Sequence, residues 1–204
     1  MVPLVLHTTY LGPVSWYATM LGGGPIALCD SEDYRKQTVR NRCRIATANG
    51  VQTLTVPVTL PSSAQGGRCP IREVRISDHD NWRHLHWQAL QTAYGMSPFF
   101  DYYADDLRPF YEKRWDYLFD FNLELTATML RLLDIPCALE VVSSPVTVPC
   151  SALDGTGIRY YQTFQRRHGF IADLSIVDLL CNEGPEGVLR MMRRDVADAC
   201  PAQR

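Results

Sequence analysis

Two short apolar runs, Val2 to Leu6 and Pro25 to Cys29, bracket a segment that opens at Gly12-Pro13 and closes at Gly22 to Gly24. Proline fits the first turn of a helix, where its missing N–H is not needed, and glycine ends one. Apolar runs this short suit buried strands. A strand, a helix and a second strand in such close succession make a β-α-β unit, and its two strands run parallel because the helix carries the chain back to the starting edge. The opening segment therefore commits the chain to the α/β class. It also places His7 and Asp30 at the C-terminal ends of neighbouring strands, the edge on which parallel sheets hold their ligands.

From Arg44 the pattern changes to a hairpin, with Asn49-Gly50 as a type I′ turn and Leu54, Val56 and Val58 alternating along a second strand that runs from Val51 to Val58. Residues 59–70 are rich in Ser, Gly and Pro and read as a mobile loop able to act as a lid, followed by a third strand at Ile71 to Ile76. Trp82, Leu85, His86, Ala89, Leu90, Ala93 and Tyr94 recur at helical spacing, with Asp80 as N-cap and Gly95 as the stop. A second helix is expected from Arg114 to Asp134, its apolar stripe interrupted by Asn122. The aromatic segment Phe99 to Tyr111 reads as short helical turns, and Ala138 to Val142 as a returning strand. Near the C-terminus Ser175 and Asp178 form a capping-box pattern, and Gly184-Pro185 ends that helix and starts the next.

The chain has 204 residues, 46% of them hydrophobic and 21% charged, enough to bury the core of one domain spanning residues 1–204. Twenty Lys and Arg against 22 Asp and Glu leave a formal charge of −2, so no global field recruits nucleic acid or an anionic membrane. Seven cysteines, odd in number and without a C-x-x-C pair, argue against a disulfide framework and against a zinc ribbon. With no basic leader and no long apolar run, the expectation is a cytoplasmic protein with reduced thiols, not inserted in a membrane.

Three polar strings carry the candidate chemistry. His7 could act as a general base oriented by Asp30, since a carboxylate at hydrogen-bond distance fixes the imidazole tautomer; the alternative is a strand-end histidine beside a loop-capping aspartate. Cys29, next to Asp30, is either a nucleophile paired with His7 or a small buried residue. Lys36, Arg40, Asn41 and Arg42 place three cations and an amide within seven residues, enough to hold a phosphate, sulfate or carboxylate, though such runs also occur as solvated faces. His86 on an apolar helix face is either a core histidine or a catalyst. His79 and His84 with Asp78 and Asp80 invite a metal reading, but His84 and His86 lie two apart on a helix and so on different faces, unlike a helical zinc pair. No metal or other cofactor is implied.

Read in order, these strings resemble the WbqC-like family, bacterial proteins associated with surface-polysaccharide (O-antigen) gene clusters. The family's first motif falls on His7-Thr8-Thr9-Tyr10-Leu11-Gly12-Pro13, with an Asp after the second strand at Asp30. Its Lys-x-x-x-x-Asn-Arg string falls on Lys36, Asn41 and Arg42, its Trp-x-x-x-His helix on Trp82 and His86, and a later Tyr on Tyr94. A C-terminal pattern falls on Tyr161, Phe164, Phe170, Leu174 to Leu180, Asn182 and Gly184. Thr8-Thr9 replaces the family's Gln-Pro, and the chain is short after Ser143-Ser144. The resemblance implies a context in surface-polysaccharide biosynthesis, and the reading taken from it and from the residues together is an enzyme that transfers an acyl or aminoacyl group to a sugar. In that reading His7, Asp30 and His86 are catalytic, and Tyr10, Lys36, Asn41, Arg42, Trp82 and Tyr94 hold a small anionic substrate, a nucleotide-sugar or acyl donor. An accessory protein that binds a glycan precursor without catalysis is the alternative. Topology predicts that His7, Asp30 and at least one of Lys36, Asn41 and Arg42 line a common cleft.

Overall fold

The computed structural model describes residues 3–22, 24–62, 68–147 and 157–192. Its centre is a three-stranded parallel sheet in the order β1 (Leu4–Leu6), β2 (Ile26–Cys29), β7 (Leu139–Val142), with Leu6 opposite Leu28 and Cys29 opposite Val142. The predicted strand, helix, strand opening is present: α1 (Val14–Ala18) and a 3₁₀ turn (Thr19–Gly22) join β1 to β2. Strand alternation gives the sheet two apolar faces. Leu4, Leu6, Ile26, Leu28 and Leu139 enter the main core, while Val5, Ala27 and Cys29 form a smaller cluster under Val142 and Val146.

The N-terminus of α1 lies against the C-terminal part of the chain. Ser15 donates through its backbone N–H and its hydroxyl to the Asp173 carboxylate at 2.9 and 3.0 Å, and Val14 N–H donates to Leu174 C=O. These contacts satisfy donors that a helix start otherwise leaves open. Glycine is required at position 12 because a Cβ there would collide with the Thr9 side chain. Ser175 caps α7 (Ile176–Glu183) by accepting from Val177 N–H, and its hydroxyl donates to Leu11 C=O at 2.8 Å.

Several local expectations are corrected. In the hairpin, β3 (Arg42–Thr47) pairs with β4 (Gly50–Thr55), and Thr47 and Gly50 are the last pair. The connection is therefore Ala48-Asn49. A type I′ turn needs two positive-φ residues, and here Gly50 alone has one, at 108°. The second strand does not reach Val58: Val56 N–H still donates to Asn41 C=O in the register of the β3–β4 ladder, but Pro57 has no N–H, and Val58–Thr59 (β5) pairs instead with Arg75–Ile76 (β6). Ile71–Glu73 is a 3₁₀ turn because Ile71 and Val74, three apart, both point into the core.

Helix α2 (Trp82–Tyr94) follows Asp80 and Asn81, both left-handed, and neither caps it through a side chain. After α3 (Phe100–Leu107) and α4 (Pro109–Glu112), the long helix α5 (Leu118–Leu132) starts four residues later than its stripe suggests. Asp116 and Tyr117 are extended alongside β6, where Asp116 C=O accepts from Ile76 N–H. Asp178 is no capping-box residue, since the Ser175 N–H that it would accept donates to Arg44 C=O. Its carboxylate instead accepts the Tyr160 hydroxyl at 2.8 Å. Short helices α6 (Gln165–His168) and α8 (Gly187–Met192) complete the described chain. Of the loop expected over 59–70, residues 63–67 lie outside the described residues. Its far end is fixed by Tyr34 N–H donating to Cys69 C=O at 2.8 Å.

Candidate functional site

The C-terminal edge of the sheet carries a cleft of about 590 Å³, with His7 after β1, Cys29 at the end of β2 and Ser143 after β7 among its lining. Glu32, Arg35 and Arg40 form the polar wall opposite. His7 is 1% exposed, and among the described residues neither of its buried ring nitrogens has a hydrogen-bond partner. Burial, with the Arg40 guanidinium adding repulsion, lowers its pKa from 6.5 to about 4. The imidazole is thus neutral at pH 7.

Glu32 holds Arg40 in place. Its carboxylate accepts from Arg40 Nε at 3.1 Å and from a second guanidinium nitrogen, and its other oxygen accepts the Thr8 N–H at 3.1 Å. Burial raises the Glu32 carboxyl above the ordinary carboxylate range, against the pull of Arg40. The pair also fixes the first turn after β1 to the loop after β2. Arg35, exposed at the mouth, has no carboxylate within ion-pair distance among the described residues.

Asp30 does not orient His7. It accepts the Ser143 hydroxyl at 2.7 Å and faces Arg72 at 3.4 Å, so it ties the ends of β2 and β7 together. The expected base and orienter pair is therefore replaced by an unpaired histidine beside an arginine–glutamate pair. Cys29 shares the cleft with His7, its sulfur 3.6 Å from the Ser31 hydroxyl.

The basic string splits between two clefts. Arg35, Thr38 and Arg40 face the His7 cleft, whereas Lys36, Asn41 and Arg42 line a neighbouring one of about 440 Å³ with Tyr34 and Thr59. The backbone between them is pinned from several sides. Tyr10 N–H donates to Val39 C=O, Asn122 Nδ2 to Arg40 C=O at 2.8 Å, and Asn41 Nδ2 to Val56 C=O at 3.0 Å. The segment is a wall, and its two sides present different side chains. The expectation of one cleft shared by His7 and Lys36, Asn41 or Arg42 is not met.

Tyr10, Trp82, His86 and Tyr94 are all buried and line neither cleft. The Tyr10 hydroxyl lies 2.8 Å from His86 Nδ1 and 3.0 Å from the Tyr111 hydroxyl, a chain enclosed by Trp82 and Phe121. Burial lowers the His86 pKa to about 4, opposed by a hydrogen bond to the Thr55 backbone. This arrangement is that of a hydrogen-bonded core histidine. Glu32 and Arg35 were not singled out from sequence. Their signal was position, since both fall in the first loop after β2, at the strand edge.

Among the described residues, no group of three or more His, Cys, Asp and Glu side chains is arranged to hold a metal, and Asp78 pairs with Arg83 and Arg114. Five described cysteines are free thiols; Cys150 and Cys200 lie outside the described residues. No described helix is long and apolar enough to cross a membrane.

A parallel sheet whose strand ends open on a cleft lined by histidine, glutamate and arginine defines an α/β protein with a strand-edge polar site. The chain belongs to the WbqC-like protein family, which matches residues 9–154. It is similar to a Mycobacterium tuberculosis (strain ATCC 25618 / H37Rv) protein described as "Uncharacterized protein Rv1507c", with 30% identity over 200 residues, covering 77% of this chain and 83% of that protein. No solved structure matches it.

Proposed function

We propose that the protein is an enzyme of surface-polysaccharide biosynthesis that transfers an acyl or aminoacyl group to a sugar, with the His7 cleft as its active site. The observation that carries this reading is a neutral histidine, neither of whose ring nitrogens has a partner among the described residues, at the strand edge and beside the Arg40–Glu32 ion pair. The neutral imidazole is in the form that accepts a proton, and burial beside Arg40 makes it a weaker base than an exposed histidine, so its catalytic contribution is positional.

The acceptor hydroxyl or amine attacks the donor's acyl carbon and gives its proton to His7 as the new bond forms. The carbonyl oxygen takes up the negative charge, which Arg40, held by Glu32, stabilises. Collapse of the tetrahedral adduct expels the leaving group, which takes the proton back from His7. Arg35 at the mouth holds the donor's anionic part. Asp30 positions the ends of β2 and β7.

The test is a thermal-shift screen of acyl-CoA compounds and nucleotide sugars, followed by mass spectrometry of acyl transfer with the donor that stabilises the chain. The expected result is that His7→Asn keeps the donor-induced shift and loses turnover by roughly a hundredfold or more. Turnover unchanged in that variant rejects His7 as the base. A donor that binds without any turnover selects the accessory, non-catalytic reading.

A further inference from the structure

We propose that the cleft lined by Lys36, Asn41 and Arg42 is a separate binding site for a phosphorylated sugar, with the phosphoryl group on the two cations and a sugar hydroxyl on the Asn41 carbonyl oxygen. The site goes beyond the His7 chemistry and does not depend on it.

The first argument is charge. Among the described residues, no carboxylate lies within ion-pair distance of Lys36 or Arg42, although Arg40, Arg68 and Arg72 nearby are all paired. Among the described residues, the cleft's lining contains no acid. Residues 63–67, which follow the cleft's Leu60 in sequence, are Ser-Ala-Gln-Gly-Gly and carry none either. Two cations facing one concavity without a counter-charge repel each other, and an anion between them removes that repulsion.

The second argument is unmet hydrogen bonding. Arg42 Nε is buried and has no partner among the described residues. An unsatisfied buried donor is unfavourable unless a ligand or water meets it. Phosphate suits the site better than carboxylate, because its several oxygens can meet the planar guanidinium and the Lys36 ammonium together.

Asn41 adds the sugar. The residue is 5% exposed, and the donation of Nδ2 to Val56 C=O fixes which way the amide points. That leaves Oδ1 buried without a donor. A phosphate oxygen cannot fill this role, since both atoms are acceptors. A hydroxyl can, so the ligand that satisfies the whole site carries a phosphoryl group and an alcohol. The wall that holds Asn41 is fixed before any ligand arrives, by the Asn122, Val56 and Tyr10 contacts, so little ordering is needed on binding.

Isothermal titration of the full chain at low ionic strength tests this, with glucose 1-phosphate and uridine monophosphate as probes and inorganic phosphate and glucose as controls. Saturable binding of a phosphorylated sugar is expected, weaker for inorganic phosphate and absent for glucose; whichever probe binds more tightly identifies a simple sugar ester or a nucleotide's ribose. Lys36→Glu, an exposed change that leaves the fold intact, and Arg42→Gln should each weaken binding roughly tenfold or more. His7→Asn should bind the probe like the parent chain, which separates this site from the active-site reading. No binding by the parent chain, or unchanged affinity in Lys36→Glu, overturns the site. Loss of binding in His7→Asn alone moves the ligand to the other cleft and overturns it too. Equal affinity for inorganic phosphate overturns the sugar assignment.

Discussion

Lowering the pH from 7 to 5 should destabilise the fold by roughly 2 kcal/mol, and two buried histidines cause most of the loss. His7 and His86 each have a pKa of about 4 in the fold, against 6.5 in an open chain, because burial strips water from the imidazolium. A folded pKa below the unfolded one means that the unfolded chain binds the proton first. The stability these residues allow is therefore complete above pH 6.5 and drains as the pH falls through 6.5 toward 4. By pH 5 each histidine has withdrawn about 2 kcal/mol.

Asp178 works in the opposite direction. Burial raises its carboxyl from 3.8 to about 6, so the folded state takes up that proton first. Falling pH returns about 1 kcal/mol by pH 5. Glu32, also raised, adds in the same sense. The balance remains a net loss. Urea denaturation at the two pH values reads it directly. His86→Gln should start less stable and show a slope shallower by about 2 kcal/mol across this window, while Asp178→Asn should show one steeper by about 1 kcal/mol. Stability that is flat or rises between pH 7 and 5 in the parent chain would refute the assignment of both histidines as buried and neutral.

Tyr10→Phe removes the hydroxyl shared by His86 and Tyr111, leaving two buried polar groups unpaired; a loss of about 1 to 3 kcal/mol is expected, read as a lower Tm, and an unchanged Tm would show that the chain of hydroxyls is not formed. Gly12→Ala drives a methyl group into Thr9 and should destabilise by about 1 to 3 kcal/mol in urea, whereas a neutral result would mean that the turn after β1 is looser than described.

The parallel opening unit was legible because its signals are local and agree: apolar runs, a proline start and a glycine stop. The β-strand at Leu139–Val142 was legible as a strand, but nothing local identifies its partner, which is β2. Errors clustered where tertiary contacts compete with pattern. The run from Val51 to Val58 alternates like one strand, yet past Pro57 Val58 and Thr59 pair with Ile76 and Arg75 of β6, and Asp116-Tyr117 leave the helical stripe to lie against β6. Ser175 and Asp178 have capping-box spacing, but Arg44 already occupies the Ser175 N–H, so Asp178 is released to Tyr160. In each case a backbone group from a distant segment replaced the local partner.

The site shows the same limit more sharply. Residue type and strand-edge position were enough to select His7, whereas its neighbours depend on which way each side chain leaves the 34–42 segment. That direction is set by Asn122, 82 residues away from Arg40 in sequence, and by the hairpin's Val56. Arg40 turns to Glu32 on one side of the wall, and Asn41 and Arg42 turn to the other. A cluster of cations that reads as one anion site in the sequence is therefore divided in space. The two clefts share a backbone but not a charge balance: the first sets Arg35 and the Arg40–Glu32 pair beside a neutral histidine with Asp33 also in its lining, and the second holds Lys36 and Arg42 with no acid among its described lining. That difference is why proton transfer is assigned to the first cleft alone, and why the second is read as a site that binds an anion and does nothing more.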